Sequence, residues 1–152
     1  MVYWLRNAVF GTDMSDALRI SDAAALALHA MVFLAANPRR RLAAGEIASG
    51  LHVSEAHLSK VMQRLAKAGL VSSVRGPHGG FVLGKPANEI RLLDAFEAIE
   101  GPIELHHCLL GMTSCGAKRC ILGNLVEVVN GRVRDYLAKT KLSNMSDVFR
   151  SK

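Results

Sequence analysis

Apolar positions along the chain fall into helical stripes, broken once by a short run that reads as strand. From Ile20 to Asn37 alanine, leucine, methionine and valine dominate; Ser21 or Asp22 stands where a cap belongs and Pro38 follows the end, which predicts a first helix. A second is predicted over Ala43 to Leu51, with Ile47, Ala48 and Leu51 on one face. After the turn at His52-Val53, Ser54 is placed to cap a third helix that runs to Ala68 and stops at Gly69. Leu58, Val61, Met62 and Leu65 form its buried stripe at three- and four-residue spacing. Leu70 to Val74 and Phe81 to Leu83 predict two short strands around Arg75-Gly-Pro-His-Gly-Gly80, a turn whose glycines and proline suit unusual backbone angles. Ile90 to Glu100 predicts another helix, with Leu92, Leu93, Phe96 and Ile99 inward and Gly101-Pro102 ending it.

Beyond Pro102 the period is lost until about Cys120, and a stretch of that length without a pattern is usually functional or disordered. Leu122, Val126, Val129, Val133 and Tyr136 then recur at alternating four- and three-residue spacing, predicting a long helix from about Cys120 to Lys139. Gly123 and Gly131 each weaken such a helix by about 1 kcal/mol relative to alanine, so packing has to stabilise it, and a second copy of the chain is the simplest source of that packing. The expected division is a leader or extension over 1–17, a DNA-binding domain over 18–101, a cysteine-containing loop over 102–119, and a dimerisation helix with tail over 120–152. The fold class this implies is mainly α: a winged helix-turn-helix domain with a long C-terminal dimerisation helix.

Charge sharpens the reading. Between Pro38 and Lys85 the basic residues Arg39, Arg40, Arg41, Lys60, Arg64, Lys67, Arg75 and Lys85 face only Glu46 and Glu55, so this segment carries the whole formal excess of +6. A basic segment that also contains a helix-turn-helix pattern suits a phosphate backbone. On the third helix Ser54, Ala56, His57, Ser59, Lys60 and Arg64 are the expected contacts to base edges and phosphates, and the wing adds Arg75, His78 and Gly79. Arg75, at the wing tip, is placed to enter a minor groove. Double-stranded promoter DNA is therefore the expected partner. No run approaches the roughly 18 to 20 apolar residues of a membrane span, and the N-terminal residues lack the pattern of a signal peptide, so a cytoplasmic location and no membrane partner are expected.

In that compartment thiols stay reduced, which favours metal ligation or redox sensing over disulfides for Cys108, Cys115 and Cys120. Soft thiolates in a glycine-containing loop suit an iron–sulfur cluster. Zinc held by the three cysteines with His106 or His107, or thiols that bind nothing, are the alternatives. A small redox enzyme using Cys115 or Cys120 as nucleophile would lack both a Cys-x-x-Cys pair and an evident base, so no enzymatic activity is expected.

The order of first helix, helix-turn-helix, wing with Val74-Arg-Gly-Pro-His-Gly-Gly-Phe-Val-Leu-Gly84, helix, three-cysteine loop and long helix resembles the Rrf2 superfamily of bacterial regulators, which includes IscR, NsrR, RirA and CymR. The likeness covers about Leu18 to Val148, and the wing is its most specific part. It implies a homodimer on a pseudo-palindromic site, often with an iron–sulfur cluster, [2Fe–2S] or [4Fe–4S], whose state sets DNA affinity. The signal would be nitric oxide, iron or cluster status, or redox state; the CymR branch is a cluster-free alternative that responds to a small molecule or partner protein. The spacing here is Cys-x6-Cys-x4-Cys. Gly123 stands where some members carry a histidine ligand, and Ala25 where others carry a carboxylate. His29 matches a histidine ligand of one redox-sensing branch, so the resemblance leaves His29, His107 or a small exogenous ligand to complete the site.

Overall fold

The computed structural model describes residues 20–103 and 116–149. In chain order these form α1 (Asp22–Ala36), α2 (Ala44–Leu51), α3 (Glu55–Lys67), β1 (Val71–Val74), β2 (Gly80–Leu83), α4 (Leu92–Glu100), α5 (Leu125–Lys139) and a 3-10 turn (Leu142–Met145). The mainly helical architecture with one small two-stranded sheet is that of a winged helix-turn-helix domain.

Helix α1 is the centre of the core. Ala24, Leu26, Ala27, Ala30, Met31, Val32, Leu34 and Ala35 are buried around most of its circumference, and the small side chains let α2, α3, α4 and the 3-10 turn close on it. Of the two candidate caps, Ser21 serves: its hydroxyl accepts from the Ala24 N–H at 3.1 Å. Helix α3 adds Leu58, Val61, Met62 and Leu65, the stripe expected from spacing. Helix α4 has no side-chain cap of its own, but its third residue, Asp94, accepts the Arg91 N–H at 2.8 Å and pairs with the Arg91 guanidinium at 2.6 Å. Partial burial pushes the Asp94 carboxyl up, and the Arg91 hydrogen bonds and charge, with Lys85, outweigh this and hold it below its ordinary value.

The long C-terminal helix is shorter than its periodicity suggests. It begins at Leu125, because Gly123 adopts a left-handed conformation (φ 58°) and Cys120 to Asn124 form turns, so Leu122 precedes the helix instead of lying on it. The C-terminal half of α5 belongs to the core of its own chain: Leu137 is buried and Val133 packs against it. Backbone bonds from Leu92 N–H to Thr140 and from Leu142 N–H to Ile90 tie this end to the start of α4, both at 2.9 Å. In the N-terminal half Leu125 and Val128 are exposed and Val126 and Val129 half-buried; Ile121, just before the helix, and Tyr136, further along it, are exposed. Among the described residues no helix is long and apolar enough to cross a membrane.

Candidate nucleic-acid interface

Helices α2 and α3 are joined by a turn whose shape depends on His52, which closes α2 in the left-handed region (φ 55°). The Val53 N–H returns to the Ala48 carbonyl at 3.0 Å, so the last turn of α2 is satisfied before the chain reverses. Ser54 then caps α3, its hydroxyl accepting from the His57 N–H at 3.4 Å. With the apolar stripe turned inward, Ala56, His57, Lys60 and Lys67 are exposed and Ser59 is half-buried. Small side chains at the first turn and cations further along are what close approach to base edges and phosphates requires.

The wing continues this surface. β1 and β2 pair antiparallel with Val71 opposite Leu83 and Val74 opposite Gly80. In the connecting turn Gly76 takes φ 112°, and the Gly79 N–H bonds the Gly76 carbonyl at 2.9 Å. A side chain at Gly79 would overlap the Val74 carbonyl, so this position shapes the wing. Arg75 and His78 are exposed at the tip. Among the described residues neither Lys60 nor Arg75 has a hydrogen-bond or ion-pair partner, so both charges are available to a ligand.

Two contributors to this surface were missed by periodicity. Leu42 pairs with Phe81 as a third, single-residue strand beside the wing. Arg41, just before it, donates to the His78 carbonyl at 3.3 Å and so braces the wing turn. Its neighbour Arg40 is engaged by Glu46 at 2.8 Å. Only the run of arginines ahead of Leu42 hinted at this; single-residue pairing leaves no period to read. Arg64 also differs from the sequence expectation in its surroundings: its guanidinium donates to the Ile99 carbonyl at the end of α4.

A cleft of about 480 Å³ opens between the start of α1 and the start of α3, lined by Asp22, Ala25, His29, Ser54 and His57 among others. It brings together one expected metal ligand, His29, and two expected DNA contacts. The His29 Nδ1 lies 2.7 Å from the Ala25 carbonyl, and its ring tilts against Phe149. If Nδ1 carries the proton, Nε2 keeps its lone pair, the tautomer of a nitrogen ligand. Cys120 is exposed with a free thiol. Cys108, Cys115, His106 and His107 lie outside the described residues, among which no three His, Cys, Asp or Glu side chains form a metal-holding group.

A capped helix presenting small and cationic side chains beside a glycine-shaped wing defines the class as a winged helix-turn-helix nucleic-acid-binding protein. Comparison narrows this. The Rrf2 family, described as iron-dependent transcriptional regulators, matches residues 20–147, and the chain belongs to it. The regulator IscR of Pectobacterium atrosepticum is 37% identical over 94 residues, which span 61% of this chain and 57% of that protein. The structure of CymR, described as the global cysteine regulator of B. subtilis, superposes with a TM-score of 0.73 at 30% identity, covering 86% of this chain and 97% of the other. The IscR structure from T. potens shares the fold with a TM-score of 0.68 at 24% identity, over 90% and 91% of the two chains. The protein is thus a transcriptional regulator of the Rrf2 family, similar to IscR and CymR.

Proposed function

We propose that the chain is a cytoplasmic homodimeric regulator without enzymatic activity, which reads promoter DNA with α3 and the wing and whose operator affinity depends on an iron–sulfur cluster. The observation that carries the DNA reading is the exposed Arg75 on a wing built from Gly76, Gly79 and Gly80, together with the exposed Lys60 of α3, both without a partner among the described residues. Ser54, Ala56, His57 and Ser59 are the proposed base-edge contacts, and Lys60, Arg75 and the His78-Gly79 turn the proposed groove and phosphate contacts. Leu122, Val126, Val129, Val133 and Tyr136 remain the proposed dimer residues, joined by the exposed Ile121, Leu125 and Val128.

For the cluster, the donor chemistry fits: Cys120 offers a free thiol, Cys108 and Cys115 supply two more, and His29 or His107 the fourth position. When bound, the cluster supplies an iron centre that oxidants, nitric oxide or changing iron supply can alter. The chain itself would carry that change onward, since the segment with Cys108 and Cys115 leaves directly from the end of α4 at Gly101. Anaerobic purification followed by iron and sulfide analysis, visible spectra and operator titration tests this reading. Stoichiometric iron and a 5- to 150-fold difference in affinity between loaded and stripped protein are expected. Iron-free protein, or equal affinities, would defeat it.

A cluster-free repressor is the second reading, supported by the likeness to CymR and by the cleft beside α3, which could take a small molecule. Metal-free protein whose operator affinity shifts with a small thiol compound would favour it.

A further inference from the structure

Arg64 lies in the last turn of α3 and is exposed like Lys60 and Lys67, but its guanidinium bends back to donate to the carbonyl of Ile99. That carbonyl is one of the last four of α4 (Leu92–Glu100), which have no partner within the helix and sit at its negative end. Helix α4 has no basic residue in its own last turn. The missing cation is supplied from α3, across 35 residues of sequence. The same end of α4 is held from a second side, where the Ser21 hydroxyl at the cap of α1 donates to the Glu100 carboxylate. Arg64 thus fastens α3 to a point already fixed on the central helix.

Leverage gives the fastening a consequence. The base-facing end of α3, at Ala56, is about 12 Å from Arg64 along the helix at 1.5 Å per residue. A tilt of about 10° at the fastened end would carry the other end about 2 Å, well outside the range of a hydrogen bond to a base edge. The apolar stripe of α3 resists separation of the helices more than it resists such a small rotation, because dispersion and area burial are non-directional whereas a guanidinium–carbonyl bond is not.

We propose that Arg64 is a positioning residue for sequence reading: it sets the angle at which α3 meets DNA and makes no phosphate contact itself. The proposal rests on the reading of α3 as the recognition helix. It predicts that Arg64 governs discrimination between sequences, while Lys60 governs the dependence of binding on salt.

The test uses the full chain, a duplex enriched by the wild-type protein from a randomised pool, and a scrambled duplex of equal length. Both affinities are measured over a salt series for wild type, Arg64→Met, Arg64→Lys and Lys60→Ala, with circular dichroism and thermal unfolding to establish that each variant is folded. Arg64→Met is expected to lower the ratio of specific to non-specific affinity at least tenfold with an unchanged salt slope, and Arg64→Lys, which keeps a donor, to recover much of the ratio. Lys60→Ala is expected to lower the slope by about one unit and leave more of the ratio intact. A slope lowered by about one in Arg64→Met with the ratio kept would make Arg64 a phosphate contact and overturn the proposal. So would lowered thermal stability with slope and ratio both unchanged, the signature of a purely structural bond. Wild-type protein that enriches no sequence would instead defeat the DNA-reading assignment itself.

Discussion

Leu42 and Phe81 exchange a pair of backbone hydrogen bonds, Leu42 N–H to the Phe81 carbonyl at 3.1 Å and Phe81 N–H to the Leu42 carbonyl at 2.8 Å. The pair fixes the wing to the strand-like residue that leads into α2, so wing and helix-turn-helix share one frame. Gly80 sits against this junction: a Cβ there would stand 2.6 Å from the Leu42 carbonyl oxygen, and its φ of 149° is one that other residues rarely adopt. Gly80→Ala is therefore expected to cost about 1 to 3 kcal/mol of stability. It should also weaken operator binding while leaving the helical content nearly intact. Chemical denaturation and a DNA titration of the same sample measure the two effects.

What could be read from the sequence was local. The α3 stripe from Leu58 to Leu65, the Ser54 cap and the wing glycines are set by residues within a few positions of one another, and all stand where spacing and turn chemistry put them. The failures were non-local. Leu42 pairs across 39 positions and Arg64 bonds across 35, and neither partner leaves a trace in periodicity. In α5 the apolar spacing alone could not say whether a residue faces its own core, as Val133 does, or solvent, as Leu125 does. His52 in a left-handed conformation was likewise invisible, because the position carries no glycine or asparagine to mark it.

Arg75 and Lys60 are expected to act on DNA in different ways. Arg75 is exposed on the wing turn, suited to a groove whose width depends on sequence. Arg75→Ala should weaken operator binding by about 1 to 3 kcal/mol, most of all on the preferred sequence. Lys60→Ala should lower the slope of log affinity against log salt by about one unit on preferred and scrambled duplexes alike. Fluorescence anisotropy over a salt series separates the two; equal slopes for wild type and Lys60→Ala would remove Lys60 from the phosphate contacts.

The pairing at the start of α4 predicts a pH dependence. Burial pushes the Asp94 carboxyl up, but the hydrogen bonds and charge of Arg91, with Lys85, bring it net below its unfolded value. A lowered carboxylate pKa contributes stability that is fully present above the unfolded value, about 3.9, and is lost as pH falls through the lower folded value. Asp94→Asn should therefore cost about 0.5 to 1 kcal/mol at pH 7, discounted for a partly exposed pair, and the gap between wild type and variant should shrink below about pH 4. Denaturant midpoints at pH 7, 5 and 3.5 give the comparison. A gap that widens in acid would mean that the carboxylate is not the stabilising form.

The apolar residues at the front of α5 predict how the chain assembles. Leu125 is 54% exposed and Val128 42%, one turn apart on the same face, and Ile121 stands 92% exposed just before them. A surface patch of this kind next to a helix whose other end is anchored in its own core suits pairing with a second copy about a two-fold axis. Because Leu125 makes little use of its own chain's core, Leu125→Asp should leave the thermal stability of the isolated protomer almost unchanged while placing a charge in the shared seam. Val133→Asp differs, since Val133 packs against the core and its substitution should unfold the C-terminal end as well. Sedimentation of Leu125→Asp should give monomers at concentrations where the wild type is dimeric. Operator affinity should fall steeply, because a dimer engages two half-sites one helical turn apart whereas a monomer engages one. If Leu125→Asp sediments as a dimer with wild-type DNA affinity, the seam must lie on another face, and Val148, exposed beyond the end of α5, is the residue to change next.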